Sequence, residues 1–196
     1  MNYLVHLHLA PPQPLARLGS FAGDFVKGPI REHWPADFAR GLLLHRRLDA
    51  FAHDNPAFNR SRVRLNPELG LYRGVLVDIY YDHFLARHWG RFSSVSLEDY
   101  AAAVYADLER NMSWLPAGLQ RVAPRIIEHD WLVSYRDQEV IELVLRRMAH
   151  RGRHTGLMAG AGELARNYAG LEEDFFAFMV AGEQWLAGEL HDIPSP

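Results

Sequence analysis

Two aspartates interrupt a helix that otherwise has the pattern of a buried element. The sequence predicts this helix over residues 67–89, and its apolar stripe follows from a rotation of roughly 100° per residue. The stripe consists of Leu71, Val75, Asp78, Asp82, Leu85 and Trp89. Burying a lone carboxylate costs several kcal/mol, and a second one nearby adds repulsion. A cation between Asp78 and Asp82 would offset that cost, so the pattern indicates a metal site, with His83 directly beside it.

A second helix, predicted over residues 36–54, shows the same feature. His45 and Asp49 lie four residues apart on its apolar face, so the two side chains can share one partner. Two such helices packed face to face would bring carboxylates and imidazoles together, as in metal sites built between core helices.

The same residues have simpler interpretations. His45 and Asp49 would then form only an intrahelical pair, and Asp78 and Asp82 would form buried salt bridges to arginines such as Arg46 or Arg47. His83 taken alone fits a hydrogen-bonded core histidine equally well.

Three other residues receive no special role from their spacing. Asp24 lies off the apolar stripe of a helix predicted over residues 15–27, which favours a solvated acid. His6 and His8 lie in the apolar segment 1–10, where lone histidines are more often core residues than ligands.

Basic residues suggest two contact surfaces. Arg46 and Arg47 adjoin His45, where they could contact a phosphate or simply be solvated. The run 146–154 carries four arginines, two histidines and no acid, so it fits docking of an acidic partner, although basic residues also favour helix C-termini. These arginines are Arg146, Arg147, Arg151 and Arg153.

Helical periodicity dominates the rest of the chain. Further helices are predicted over residues 97–115, 116–131, 137–150 and 163–190. Residues 1–10 fit a strand or a short helix, residues 59–66 a basic connector, and residues 152–162 a glycine-rich loop. Because no alternating β-branched segment occurs, we predict one all-α domain of seven to nine helices over residues 1–196.

Composition narrows the chemistry. Of the 196 residues, 48% are hydrophobic and 23% charged, as in ordinary globular proteins. The chain has no cysteine, which excludes thiolate ligands and disulfides and leaves His, Asp and Glu, ligands that favour Mn²⁺, Mg²⁺ or Fe²⁺. A formal net charge of −3 argues against a nucleic-acid-binding protein. The apolar start is too short for a membrane span and lacks a basic region, so we expect a cytoplasmic protein with no membrane partner.

Nucleophile motifs are missing from the sequence. There is no GxSxG elbow, no HExxH motif and no glycine-rich phosphate loop. Water activated by a metal is therefore the nucleophile that these residues could best supply.

Five segments, in this order, resemble the acyl carrier protein phosphodiesterases. They are residues 1–10 (MNYLVHLHLA), 23–28 (GDFVKG), 45–49 (HRRLD), 82–89 (DHFLARHW) and 131–136 (WLVSYR). The resemblance implies hydrolysis of the phosphodiester that joins 4′-phosphopantetheine to a serine of holo-acyl carrier protein, with a divalent cation, typically manganese. It also implies an all-α fold like that of the HD phosphohydrolases, although the adjacent pair here reads Asp82-His83, in reversed order.

Residues and resemblance together give one set of expected roles. The resemblance raises Asp24, Lys27 and His6 above what their spacing indicates. The expected metal ligands are Asp24, His45, Asp82 and His83; the catalytic residues are His6, Asp49 and Asp78; the phosphate contacts are Lys27 and Arg46; and the carrier-docking residues are Arg146, Arg147, Arg151 and Arg153. The alternatives are a phosphohydrolase of nucleotides or other small phosphoesters, a helical module that binds the carrier without catalysis, and a purely structural helical protein.

Overall fold

Ten α-helices account for most of the chain in the computed structural model, which describes residues 3–31, 33–152 and 155–192. They are α1 Tyr3–His8, α2 Pro14–Ala22, α3 Ala36–Asp54, α4 Pro56–Arg64, α5 Tyr72–Arg87, α6 Leu97–Arg110, α7 Ala117–Glu128, α8 Trp131–Ser134, α9 Gln138–Gly152 and α10 Thr155–Asp192. Short 3-10 turns cover Gly23–Phe25, Pro67–Leu69, Trp89–Arg91 and Met112–Trp114. These ranges contain no strand, and buried apolar side chains from every helix join one hydrophobic cluster, so the all-α prediction is confirmed. Among the helices so described, none has the length and apolar character that a membrane crossing requires.

The apolar N-terminal segment is a helix rather than a strand. In α1 the residues from Tyr3 to Leu7 are all buried, so their backbone N–H groups need partners inside the protein. Asp82 of α5 supplies two of them, since its carboxylate oxygens accept the N–H of Leu4 at 3.0 Å and of Val5 at 2.9 Å. This contact attaches the first turn of α1 to the middle of α5.

Helices α2 and α3 pack backbone against backbone. A Cβ added to Gly19 would overlap the carbonyl oxygen of Phe38, and one added to Gly41 would overlap the carbonyl of Ala16. The two glycines therefore allow the close approach that places the end of α2 against the middle of α3.

The central helix begins later than predicted. Residues 67–69 form a 3-10 turn, and Gly70 follows with φ 54°, a conformation that ends the turn and favours glycine. Leu71 is consequently 91% exposed and does not belong to the apolar stripe. The helix starts at Tyr72. Asp82, a residue of the predicted stripe, is buried as expected.

The predicted basic connector is wrong, because residues 56–64 form helix α4. Asn55 caps this helix by accepting the N–H groups of Ala57 and Phe58. Arg60 and Arg64 both pair at 2.7 Å with Asp174, a buried residue of α10, and this ion pair fixes α4 to α10.

The predicted loop over residues 152–162 is also wrong within the described residues, because α10 already begins at Thr155. Gly160 serves helix packing instead. A Cβ at Gly160 would overlap the side chain of Leu76, and the Tyr80 hydroxyl donates to the Gly160 carbonyl at 2.6 Å. The additional short helices α1, α4 and α8 explain why the described chain has ten helices rather than seven to nine.

Candidate metal centre

Two histidines and an aspartate from α1 and α3 converge at one point. The Nε2 atoms of His6 and His45 lie 3.3 Å from Oδ1 and Oδ2 of Asp49, respectively. The two imidazole rings stack with centroids 3.9 Å apart. In the part of the chain that the structure describes, this is the one group of three His, Asp or Glu donors whose ligand atoms all lie within 4.8 Å of one another.

Ser20, at the end of α2, orients the His45 ring. His45 Nδ1 lies 2.8 Å from the Ser20 carbonyl oxygen, which can only accept, so Nδ1 carries the proton. The lone pair of Nε2 then faces Asp49, the arrangement that a metal-binding histidine requires. The Ser20 hydroxyl donates to the His6 carbonyl at 2.9 Å, which links α1 to the same residue.

Gly23 provides the space for the His45 ring, because an added Cβ would overlap it. We expect Gly23→Ala to displace the imidazole, to lower metal affinity at least tenfold and to destabilise the protein by about 1–3 kcal/mol. Isothermal titration with Mn²⁺ and thermal melts measure the two effects. Gly188→Ala is the matched control, since nothing lies within 4 Å of its Cβ position; equal Mn²⁺ affinity of both variants would contradict the role of Gly23.

His6 is kept neutral by its surroundings. Burial lowers its pKa to about 4, an effect that the hydrogen bond to Asp49 only partly offsets and that the neighbouring His45 reinforces. Its Nδ1 atom is buried without a hydrogen-bond partner. The His6 ring is therefore uncharged at neutral pH, as a histidine that binds a metal must be.

The His6 titration can be measured in the metal-free protein. We expect NMR of ¹⁵N-histidine-labelled protein to show one ring, absent from a His6→Gln variant, that stays neutral at pH 6 and titrates near pH 4. Because the unfolded chain takes up this proton at about pH 6.5, His6 should make the free energy of unfolding fall as pH falls from 6.5 to 4. A normal titration near 6.5 would contradict the buried environment.

Asp49 supplies the negative charge of the cluster. Its side chain is 60% exposed. Partial burial by itself raises its pKa, but the imidazoles of His45 and His6, which approach its two oxygens, outweigh that effect and hold the pKa well below its usual range. Two imidazole nitrogens and an ionised carboxylate suit Mn²⁺, Fe²⁺ or Zn²⁺. Ligand separations near 3.3 Å also match metal–ligand bonds of about 2.1 Å at tetrahedral or octahedral angles.

Two more carboxylates lie near this group. Asp24, on the turn after α2, has Oδ1 4.0 Å from His45 Nε2 and is 34% exposed. Burial raises the pKa of Asp78 to about 6, and the negative charges of Asp49 and Asp24 add to the rise. A raised pKa in a carboxyl group at a candidate site is typical of a proton acceptor that works near neutral pH.

Of the four predicted metal ligands, His45 belongs to the cluster, Asp24 lies beside it, and Asp82 and His83 make other contacts. Both oxygens of Asp82 accept N–H groups of α1, as described above. His83 Nδ1 lies 2.9 Å from the Tyr135 carbonyl oxygen, and its Nε2 lies 3.0 Å from the Tyr168 hydroxyl. The hydrogen bonds of these two residues connect helices, and the structure gives their predicted ligand role no geometric support.

Of the two predicted phosphate contacts, Lys27 lies on the loop that follows Asp24, and Arg46 lies on α3 next to His45. Arg46 donates from one guanidinium nitrogen to the carbonyl oxygens of Val26, at 3.2 Å, and Gly28, at 2.6 Å. It thereby holds the loop that carries Lys27, the chain's only lysine, which is exposed.

The predicted carrier-docking run is described only in part. Arg146 and Arg147 are exposed on α9, and Arg146 lies 3.8 Å from Glu142. The side chain of Arg151 and the whole of Arg153 lie outside the described residues.

Comparisons with known proteins agree with the resemblance in the sequence. The family model described as acyl carrier protein phosphodiesterase matches residues 1–181. A Serratia proteamaculans protein of that name is 34% identical over 181 residues, covering 91% of this chain and 93% of the relative. A Salmonella dublin protein of the same name is 32% identical over 180 residues, with the same coverage.

No solved structure matches the chain, so the expected likeness to HD phosphohydrolases stays a prediction. The family match covers nearly the whole sequence and includes every residue of the His6–His45–Asp49 cluster. The chain belongs to the acyl carrier protein phosphodiesterase family.

Proposed function

We propose that this protein is a metal-dependent phosphodiesterase that hydrolyses the bond between 4′-phosphopantetheine and a serine of holo-acyl carrier protein and releases the apo carrier. The observation that carries the proposal is the cluster of His6, His45 and Asp49, found in a chain of this family. A phosphodiester resists hydrolysis because its anionic centre repels hydroxide, and a divalent cation removes that obstacle.

The proposed metal ligands are His6 Nε2, His45 Nε2 and the Asp49 carboxylate, with Mn²⁺ as the preferred ion. Asp24, 4.0 Å from His45 Nε2, is in position to contribute a further oxygen. When bound, the ion supplies an acidified water and neutralises charge on the phosphoryl oxygens.

Residues around the cluster have proposed roles in proton transfer and phosphate binding. Asp78, with its pKa near 6, would accept the proton of the attacking water at neutral pH. Lys27 would contact the phosphate, while Arg46 holds the Lys27 loop through two backbone carbonyls and keeps further guanidinium donors for the substrate.

The carrier itself is the proposed partner. The exposed Arg146 and Arg147 on α9 support docking of an acidic surface, and their charge would speed encounter more than it would strengthen the complex. A cytoplasmic location belongs to the proposal, since the chain has no cysteine and requires no oxidising compartment.

Mass spectrometry of holo-carrier incubated with the protein tests this function. We expect loss of the phosphopantetheine mass with Mn²⁺ present and no loss after treatment with a chelator. Parallel incubations with nucleotides test the alternative substrate class. Hydrolysis of nucleotides without release of phosphopantetheine from the carrier would indicate a nucleotide phosphohydrolase instead. Binding of the carrier without release of phosphopantetheine would indicate a non-catalytic module.

A further inference from the structure

A cavity of about 520 Å³ opens beside the turn Gly23–Phe25, which carries Asp24. Its wall starts at Phe25, the residue after Asp24, and continues along the Lys27 loop to the turn before α7. The lining residues are Phe25, Val26, Lys27, Pro29, Arg31, His33, Trp34, Ser113, Trp114, Leu115, Pro116 and Ala117. This volume lies within the range of small-molecule sites rather than of flat protein-docking surfaces.

The loop that lines the cavity is attached to α3, the helix that presents His45. Arg46, the next residue in α3, fixes the Val26–Gly28 loop through its two hydrogen bonds. Phe25 packs against α7 at Gly118, where an added Cβ would lie 3.0 Å from the ring. These contacts with α3 and α7 hold the cavity wall in a fixed position relative to His45.

The wall combines aromatic and cationic side chains. Trp34 packs against Phe38 with ring centroids 4.9 Å apart, which holds its indole in place. Trp114 also lines the cavity, and its side chain is 49% exposed. Lys27 and Arg31 add positive charge. None of the lining residues named above is acidic, so the cavity suits a ligand with one anionic end and a neutral, partly apolar body.

We propose that this cavity, the arm pocket, binds the pantetheine chain of the substrate, with the phosphate at the Lys27 end beside Asp24. The inference rests on the proposed function and adds where the arm lies. Phosphopantetheine has the required chemistry, since a phosphate terminates a neutral chain that carries two amides and a dimethyl-substituted carbon. The Ser113 hydroxyl, also in the lining, can donate to or accept from an amide of the chain.

Indole NMR tests binding without turnover. The chain has five tryptophans, and Trp→Phe variants assign their ¹⁵N-indole signals. We expect 4′-phosphopantetheine, and more weakly pantetheine, to shift the signals of Trp34 and Trp114 and to leave Trp185 unchanged. Unmoved Trp34 and Trp114 signals would overturn the arm pocket, as would equal shifts with inorganic phosphate alone, because the cationic rim would then bind only an anion.

Kinetics provide the second test. Trp114→Ala should lower kcat/KM for holo-carrier about tenfold, mainly through KM, because an indole contact is lost. Arg31→Ala serves as a second variant in case the first fails to fold, and Val63→Ala, a residue 76% exposed on α4, is the control. Release by the wild type with both pocket variants within twofold of it would overturn the arm pocket and leave the proposed function standing. Absence of release by the wild type would end the proposed function, while the indole titration would still decide whether the pocket binds the arm.

Discussion

Replacing Asp49 by asparagine is expected to remove metal-dependent turnover and leave the fold intact. The Asp49 carboxylate faces both His6 and His45, at 3.3 Å from each Nε2. The amide of asparagine has no charge to balance a dication, so we expect metal affinity and kcat/KM each to fall at least 100-fold. The side chain is 60% exposed, which predicts little change in melting temperature without metal. Mn²⁺ titration and release of phosphopantetheine measure the losses.

Asp54→Asn is the matched control, because Asp54 is an exposed acid on the same helix, outside the cluster. This variant should bind Mn²⁺ and turn over substrate as the wild type does. Wild-type metal affinity in the Asp49 variant would remove Asp49 from the ligand set.

Asp82→Ala is expected to have the opposite effect, a large loss of stability. Burial raises the pKa of Asp82 to about 7, although the hydrogen bonds that it accepts from the backbone N–H groups of Val5 and Leu4 favour its charged form. The alanine variant leaves those two buried N–H groups without an acceptor, which should cost about 3 kcal/mol. For a domain of this size the melting temperature should fall by roughly 10 °C.

Measuring Mn²⁺ binding shows whether Asp82 supports the fold, as we expect, or is a metal ligand. The folded fraction of the Asp82→Ala protein should keep one Mn²⁺ site and be stabilised by Mn²⁺ as the wild type is. Asp82→Asn, which retains one acceptor oxygen, should lose less stability than the alanine variant. An Asp82 variant that melts like the wild type and no longer binds Mn²⁺ would show that Asp82 is a ligand after all.

Much of the helical architecture follows from local periodicity. The pattern predicts α3 closely, because Pro35 and Asp37 mark its start and Asn55-Pro56 its end. It fails where a tertiary contact decides the conformation. The sequence of α4 resembles a basic connector, because the acid that pairs with its arginines, Asp174, lies far along the chain in α10. The glycines of residues 152–162 predict a loop, and nothing in the local sequence indicates that Gly160 packs against Leu76 of α5.

The site was predictable only as far as spacing could reveal it. The i, i+4 rule identifies His45 and Asp49 correctly as neighbours on one face. The same reasoning singles out Asp82 as a polar residue in a core position, but its partners are backbone amides of α1, which side-chain patterns do not encode. His6 gives no signal from its spacing, and Ser20 and Gly23 gain their roles only when α2 packs against α3.

The central claim is that one divalent ion binds between His6, His45 and Asp49. An anomalous difference map from crystals grown with Mn²⁺ tests it most directly. We predict a single strong peak within bonding distance of both Nε2 atoms and of the Asp49 carboxylate. A peak at Asp82 and His83 instead, or no peak at the cluster when the crystals contain active enzyme, would contradict the account.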